Sequence, residues 1–323
     1  MKRRALLIAS GILAAGAMPG TQAQTFPSKP IRLIVPFAPG GSTDVVARLV
    51  AEPLSRLLGQ TVVVENKGGA GGLIGTMEVI RSVPDGHTLV LASPSITASN
   101  PAINPAAGYD PLTDLVPIVN VAAGPTVLSI HPSFPARTFA EFISELMRNP
   151  DRYSYASPGV GGIIHLQMEA FKSLTGTSIQ HVPFRGAGPG LIAVVGGQVH
   201  VIQDSLPSSQ QFLRDGRLIA LAVTAPERRS DLPGVPTFAE VGLASLNYQG
   251  HFGILGPKGL PKNVVARINL AVRRSVEDPT VRKRLEDNGI VVVASSPEEF
   301  AAEIKTMFEQ AKRVVVERKL ILE

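Results

Sequence analysis

From residue 31 onward the chain repeats one unit: a short run of β-branched residues, a loop of glycine, proline and serine, and a stretch with helical spacing. Residues 31–35 read as a strand, which Pro36 breaks. After Ser42, Thr43 and Asp44, the apolar pairs Val45/Val46, Leu49/Val50 and Leu57/Leu58 recur at the helical interval. Pro53 inside this helix removes a backbone hydrogen bond and predicts a kink. Residues 61–65, 66–72 and 73–82 repeat strand, glycine loop and helix, and a Pro84-Asp85-Gly86 turn leads to a third strand at 88–92. Strands and helices alternating through short loops predict parallel strands joined by right-handed crossovers, which is one α/β lobe.

Residues 94–114 read as loop, and 115–130 as two extended stretches separated by Gly124 and Pro125, where the chain is expected to cross to a second lobe. A second α/β series then runs helix 139–147, strand 154–156, helix 163–174, strand 179–182, helix 191–196, strand 199–203, helix 207–214 and strand 218–224. Another extended stretch, 248–255, precedes three helical segments reaching residue 319. Ser296, Pro297 and Glu299 mark a capped start for the last of them. These helices are expected to pack back on the first lobe. The predicted division is lobe 1 from 24–125 and 248–323 and lobe 2 from 126–247, with hinge crossings near 120–127 and 246–254. A chain of roughly 300 residues commonly divides in this way.

Lys2, Arg3 and Arg4 precede an uncharged apolar run, residues 5–18, and then Thr21, Gln22 and Ala23. That is the layout of a secretory signal cleaved near Ala23, with a run shorter than the roughly 20 residues a membrane span needs. With no cysteine, disulfides, thiolate chemistry and a lipoprotein anchor are excluded, so a free periplasmic protein is expected. Of the 31 basic residues three lie in the leader, leaving 28 against 26 acidic ones. Near-neutral charge and few aromatics argue against nucleic-acid binding.

Candidate chemistry gathers on the small-residue loops at strand ends: Phe37, Ala38, Gly40, Gly41, Ser42, Thr43 and Asp44 in the first; 68–72 in the second; and Ser157, Gly161 and Gly162 in the loop after strand 154–156. A helix start offers unpaired N–H groups and partial positive charge, which suit an anion, and in open α/β sheets ligands gather at the carboxyl ends of strands. Tight turns alone would also account for such glycines. Ser93 follows the third strand. Asp204, ending strand 199–203, either holds a ligand ammonium or hydroxyl or caps the next helix. Arg185 either grips a carboxylate bidentately or is solvated, and His165 either touches ligand or packs. Enzyme signatures are missing: no G-x-S-x-G, no H-E-x-x-H, no Walker loop and no histidines at metal spacing. Gly188, Gly190 and Ala193 match a relaxed dinucleotide pattern, but Pro189 stands at its centre. No cofactor or metal is expected. A hydrolase using Asp44 or Asp204 as base would need a nucleophile beside it, and a sensory input module remains the other alternative.

The run from Pro30 to Asp44, Val63-Val64-Glu65-Asn66-Lys67, Gly69-Ala70-Gly71-Gly72, Pro84-Asp85-Gly86 and Tyr155-Ala156-Ser157-Pro158-Gly159 resembles the Bug family of extracytoplasmic solute receptors, which serve tripartite tricarboxylate transporters. The resemblance continues through Gly196-Gly197-Gln198-Val199, Leu221-Ala222-Val223-Thr224 and Pro233 to Pro236. It implies a type 2 periplasmic-binding-protein fold, two α/β lobes on a two-crossing hinge, a monomer without enzymatic activity, and delivery of a small organic carboxylate to membrane permease subunits. It further implies that Phe37, Ala38, Ser42, Thr43, Asp44, Ser157, Gly161 and Gly162 bind the ligand, partly through main chain and water, and that Asp204 sets selectivity. Gly162 replaces a frequent serine, Phe184-Arg185 a tyrosine and lysine, and His251 an aromatic residue, so the ligand is not limited to the familiar dicarboxylates.

Overall fold

The computed structural model describes residues 26–247 and 249–317; the expected leader lies outside them. The first lobe is built from β1 (Ile31–Val35), α1 (Ser42–Leu58), β2 (Val62–Asn66), α2 (Leu73–Ile80), β3 (Thr88–Ala92), α3 (Asn100–Ile103) and β4 (Leu115–Gly124). Pro125 alone separates β4 from β5 (Thr126–Ile130), which opens the second lobe. There follow α4 (Phe139–Arg148), β6 (Ser154–Ser157), α5 (Ile163–Thr175), β7 (Gln180–Pro183), α6 (Ala187–Val195), β8 (Val201–Ser205), α7 (Leu206–Arg214) and β9 (Ile219–Val223). The chain returns through β10 (Gly250–Pro257) and ends with α8 (Lys262–Glu277), α9 (Pro279–Asp287), β11 (Val291–Val292) and α10 (Pro297–Glu317).

The strands form two sheets, ordered β11-β4-β10-β3-β1-β2 and β7-β6-β8-β5-β9. Apart from β11 the two orders correspond position by position when one is read in reverse, β2-β1-β3-β10-β4 matching β7-β6-β8-β5-β9. In each, the strands delivered by helices run parallel, as the alternation predicts. The sheets as wholes are nevertheless mixed, because β10 and β5 run against their neighbours. The cause is topological. A strand supplied by a helix ends at the cleft, whereas β5 and β10 arrive from the other lobe and must enter their sheets at the cleft end. Gly124, the last residue of β4, pairs with Gly250, the first of β10, so the two crossings lie side by side.

Each lobe has its own apolar core. That of the first joins Leu33, Ile34, Val46 and Leu91 to Ile268, Val272, Leu285, Phe300 and Ile304, which places the C-terminal helices on the first lobe. The second centres on Leu128, Phe142, Tyr155, Phe171 and Phe238. Helix α1 runs through Pro53 as one element of 17 residues. The expected loop at 94–114 is instead largely helical: a turn of π-helix at Ser95–Ser99, then α3, then a 3-10 turn at Pro105–Ala107. Pro101 and Pro105 keep these pieces short, and tertiary contacts hold them. The Tyr109 hydroxyl donates to the Ile96 carbonyl at 2.6 Å, and Ala98 and Ile103 pack with Leu166 of the second lobe and Phe308 of α10.

Candidate functional site

The carboxyl ends of the parallel strands from both sheets meet around a cavity of about 60 Å³. Since roughly 10–15 Å³ accommodates one water, this space holds several waters or a small organic molecule. Four helices open onto it. Gly41, Ser42 and Thr43 at the start of α1, Ile163 and Ile164 of α5, Ala187 of α6, and Ser205 just before α7 all line the wall. The residues preceding these helices are Gly41, Gly162, Gly186 and Ser205, and none of them makes a side-chain cap. By contrast α4 and α10, whose first turns do not line the cavity, carry complete capping boxes from Thr138/Glu141 and Ser296/Glu299. First-turn N–H groups lack intrahelical acceptors and carry the positive end of the helix dipole, so these helix starts contribute positive potential to a wall that, among the described residues, no lysine or arginine lines.

The lobes are in contact. The Ala38 N–H donates to the Arg185 carbonyl at 2.9 Å, the Ile163 N–H to Ser95 Oγ at 3.1 Å, and the Ser42 hydroxyl to the Ser205 carbonyl at 3.2 Å. Glycines allow this approach. A Cβ on Gly188 would stand 2.3 Å from the Pro39 carbonyl oxygen, and one on Gly159 2.9 Å from the Gly71 nitrogen. The glycine loops therefore serve the meeting of the lobes as much as the cavity.

Asp204 is the acidic group on the wall. Burial raises its carboxyl to about 6, against hydrogen bonds from Ser208, Ser205 N–H and Ser209. Ser208 Oγ in turn lies 2.9 Å from Ser42 Oγ of the other lobe. At the hinge, buried His251 donates from Nδ1 to Glu303 at 3.1 Å, while its Nε2 faces Thr97 Oγ1 at 3.0 Å. Burial disfavours the charged form of Glu303, but hydrogen bonds from His251 and Asn120 outweigh it and hold the carboxyl below its ordinary range.

Of the residues singled out by sequence, Phe37, Gly41, Ser42, Thr43, Ser93 and Asp204 come together on the cavity wall. The others do not line it. Gly40 N–H donates to Asp44 Oδ2, and Asp44, which Arg48 and Asn66 also bind, is held below its ordinary range despite burial. Gly161 N–H donates to His165 Nδ1 at 3.2 Å, and Gly162 N–H to the Gly159 carbonyl. Burial lowers the His165 imidazole. The Arg185 side chain is exposed, and its backbone carbonyl makes the lobe contact. Ser157 Oγ lies 2.6 Å from Nε2 of His181, whose imidazole burial pushes down to about 4. This is the serine–base pairing that the sequence did not reveal, but neither residue lines the cavity. Sequence reasoning missed Thr126, Gln167 and the wall role of His251. Gln167 left one trace, an amide on the apolar face that α5 makes with Ile164, Met168 and Phe171.

Two α/β lobes of matching strand order, joined by paired crossings and closed over a cavity at their strand ends, define a periplasmic solute-binding protein. Residues 46–320 match the tripartite tricarboxylate transporter family receptor, and the chain belongs to that family. It is 34% identical to BugT of Bordetella pertussis over 300 residues, which cover 93% of this chain and 92% of BugT. Among solved structures it is similar to a periplasmic transporter, with 47% identity, a TM-score of 0.90, and coverage of 92% of this chain and 100% of the other. It is also similar to MatC from Rhodopseudomonas palustris with bound malate, with 33% identity, a TM-score of 0.87, and coverage of 90% and 100%. Its function is that of a solute-binding receptor of a tripartite transporter.

Proposed function

We propose that the chain captures a small organic carboxylate between its lobes and passes it, chemically unchanged, to the membrane permease of the transporter. The observation that carries this reading is the convergence of four helix N-termini, none capped by its own N-cap side chain, on one cavity that is lined, among the described residues, by neither lysine nor arginine. Main-chain N–H groups then supply the positive potential, which strengthens as closure excludes water. A dissociation constant of about 1 μM corresponds to about −8 kcal/mol, a modest demand on several such groups. The malate bound by MatC agrees with this chemistry.

The working unit is a monomer without catalytic activity, exported by a leader cleaved near Ala23. Its lobes comprise 24–125 with 248–323, and 126–247, and the Gly124–Gly250 pairing at the crossings supports that division. Thermal unfolding of the mature chain against succinate, malate, adipate and benzoate tests the reading, with putrescine as a cationic control. A carboxylate at 100 times its dissociation constant should add about 2.7 kcal/mol of stability. Stabilisation by the diamine alone would refute carboxylate capture.

A further inference from the structure

We infer that Gln167 is the side chain that reads the ligand, its Nε2 donating a hydrogen bond to an oxygen of the bound carboxylate. The inference rests on the carboxylate reading above and adds to it a specificity residue on the second lobe.

Gln167 is 2% exposed and lines the cavity, yet its Nε2 has no hydrogen-bond partner among the described residues. Its other amide atom is engaged: Oε1 accepts from Gln203 Nε2 at 3.0 Å, and Gln203 Nε2 also donates to Thr126 Oγ1 at 3.2 Å. Gln203 lies on β8 and Thr126 begins β5 at the hinge, so two paired strands hold the acceptor side of the Gln167 carboxamide and leave its donor side to the cavity. A buried N–H without an acceptor is rare in a folded protein and points to a partner supplied from outside. An amide N–H suits a carboxylate or carbonyl oxygen and repels an ammonium, whose hydrogens would meet its own. Because no lysine or arginine among the described residues lines the cavity, this neutral donor recognises an anion without the strong retention of a buried ion pair to either.

The test is calorimetric titration of L-malate, succinate and adipate into the mature wild type, Gln167→Met and Gln167→Glu. The glutamate variant keeps the oxygen that Gln203 uses and replaces only the cavity-facing amide. For whichever of the three acids the wild type binds, Gln167→Met should weaken binding about tenfold or more, as expected for losing a hydrogen bond to a charged acceptor. Gln167→Glu should weaken it further, by about a hundredfold or more, because a carboxylate then faces a carboxylate. A smaller loss in a folded Gln167→Met protein overturns the inference and leaves carboxylate capture standing. No binding of any of the acids by the wild type removes both. Should the variants fail to fold, wild-type protein labelled with 15N-glutamine answers the question by NMR. Saturating acid should move one buried side-chain amide proton downfield, and an unchanged set of glutamine side-chain signals overturns the inference.

Discussion

Asp204 gives the cavity a charge opposed to an anion, and its environment limits the effect. Enclosed by Ser205, Ser208 and Ser209, its carboxyl titrates near 6 rather than at its ordinary 3.8, because burial penalises the ionised form more than three hydrogen bonds favour it. Between those two values the folded protein binds a proton that the unfolded chain has released. This contribution to stability is therefore fully present below about pH 4, is lost as pH rises toward 6, and is constant above it. Asp204→Asn abolishes the titration. Urea unfolding across this range should find the variant more stable than wild type at neutral pH by up to roughly 3 kcal/mol, with the gap closing near pH 4. A gap independent of pH would show that Asp204 does not titrate there. Asp204 and Ser42 were legible as candidates because each lies beside a strand end within a local pattern. Gln167 was not, since its partner Gln203 stands 36 residues away and only the folded sheet brings their amides together.

Helix α10 links the stability of the first lobe to the hinge. Ser296 Oγ accepts the Glu299 N–H at 3.2 Å and Glu299 returns a carboxylate to the Ser296 N–H at 2.8 Å, which starts the helix where Phe300 and Ile304 can enter the core. Ser296→Ala removes half of this box and should cost about 1 kcal/mol in urea unfolding, with carboxylate affinity unchanged. A loss below a few tenths would mean that core packing alone sets the helix start. This cap was readable from three residues, as were most strands and helices, because hydrophobic period and punctuation are local signals. Two features were not. Three of the five residues in the π-turn at Ser95–Ser99 are serine or threonine, which favour loops, and it is helical because α10 and α5 pack on it. The reversed direction of β5 and β10 has no local signature, since it follows from which lobe delivers the strand.

For the whole molecule the decisive requirement is that two lobes approach until backbone touches backbone, and glycine permits it. Gly188 is the most informative of these positions. It lies in α6 with ordinary helical freedom for alanine, and the atoms nearest to its missing Cβ belong to Pro39 and Gly40 of the opposite lobe, at 2.3 and 3.2 Å. Gly68 is less clean, because a Cβ there would press on the Ala38 nitrogen of its own lobe at 2.8 Å as well as on the Arg185 carbonyl at 2.7 Å. A methyl group on Gly188 thus leaves each lobe intact and obstructs only their union. Gly188→Ala should unfold, without ligand, within about 0.5 kcal/mol of wild type, as for a substitution that disturbs no packed core. It should bind malate or whichever carboxylate the wild type prefers about tenfold or more weakly, since binding then selects a closed state that has become costlier to populate. Small-angle scattering provides the geometric check: the wild type should contract on saturation and the variant should contract less. If Gly188→Ala bound and contracted as the wild type does, the contact between Gly188 and Pro39 would not be part of the ligand-bound form, and the glycines at the lobe boundary would need another explanation.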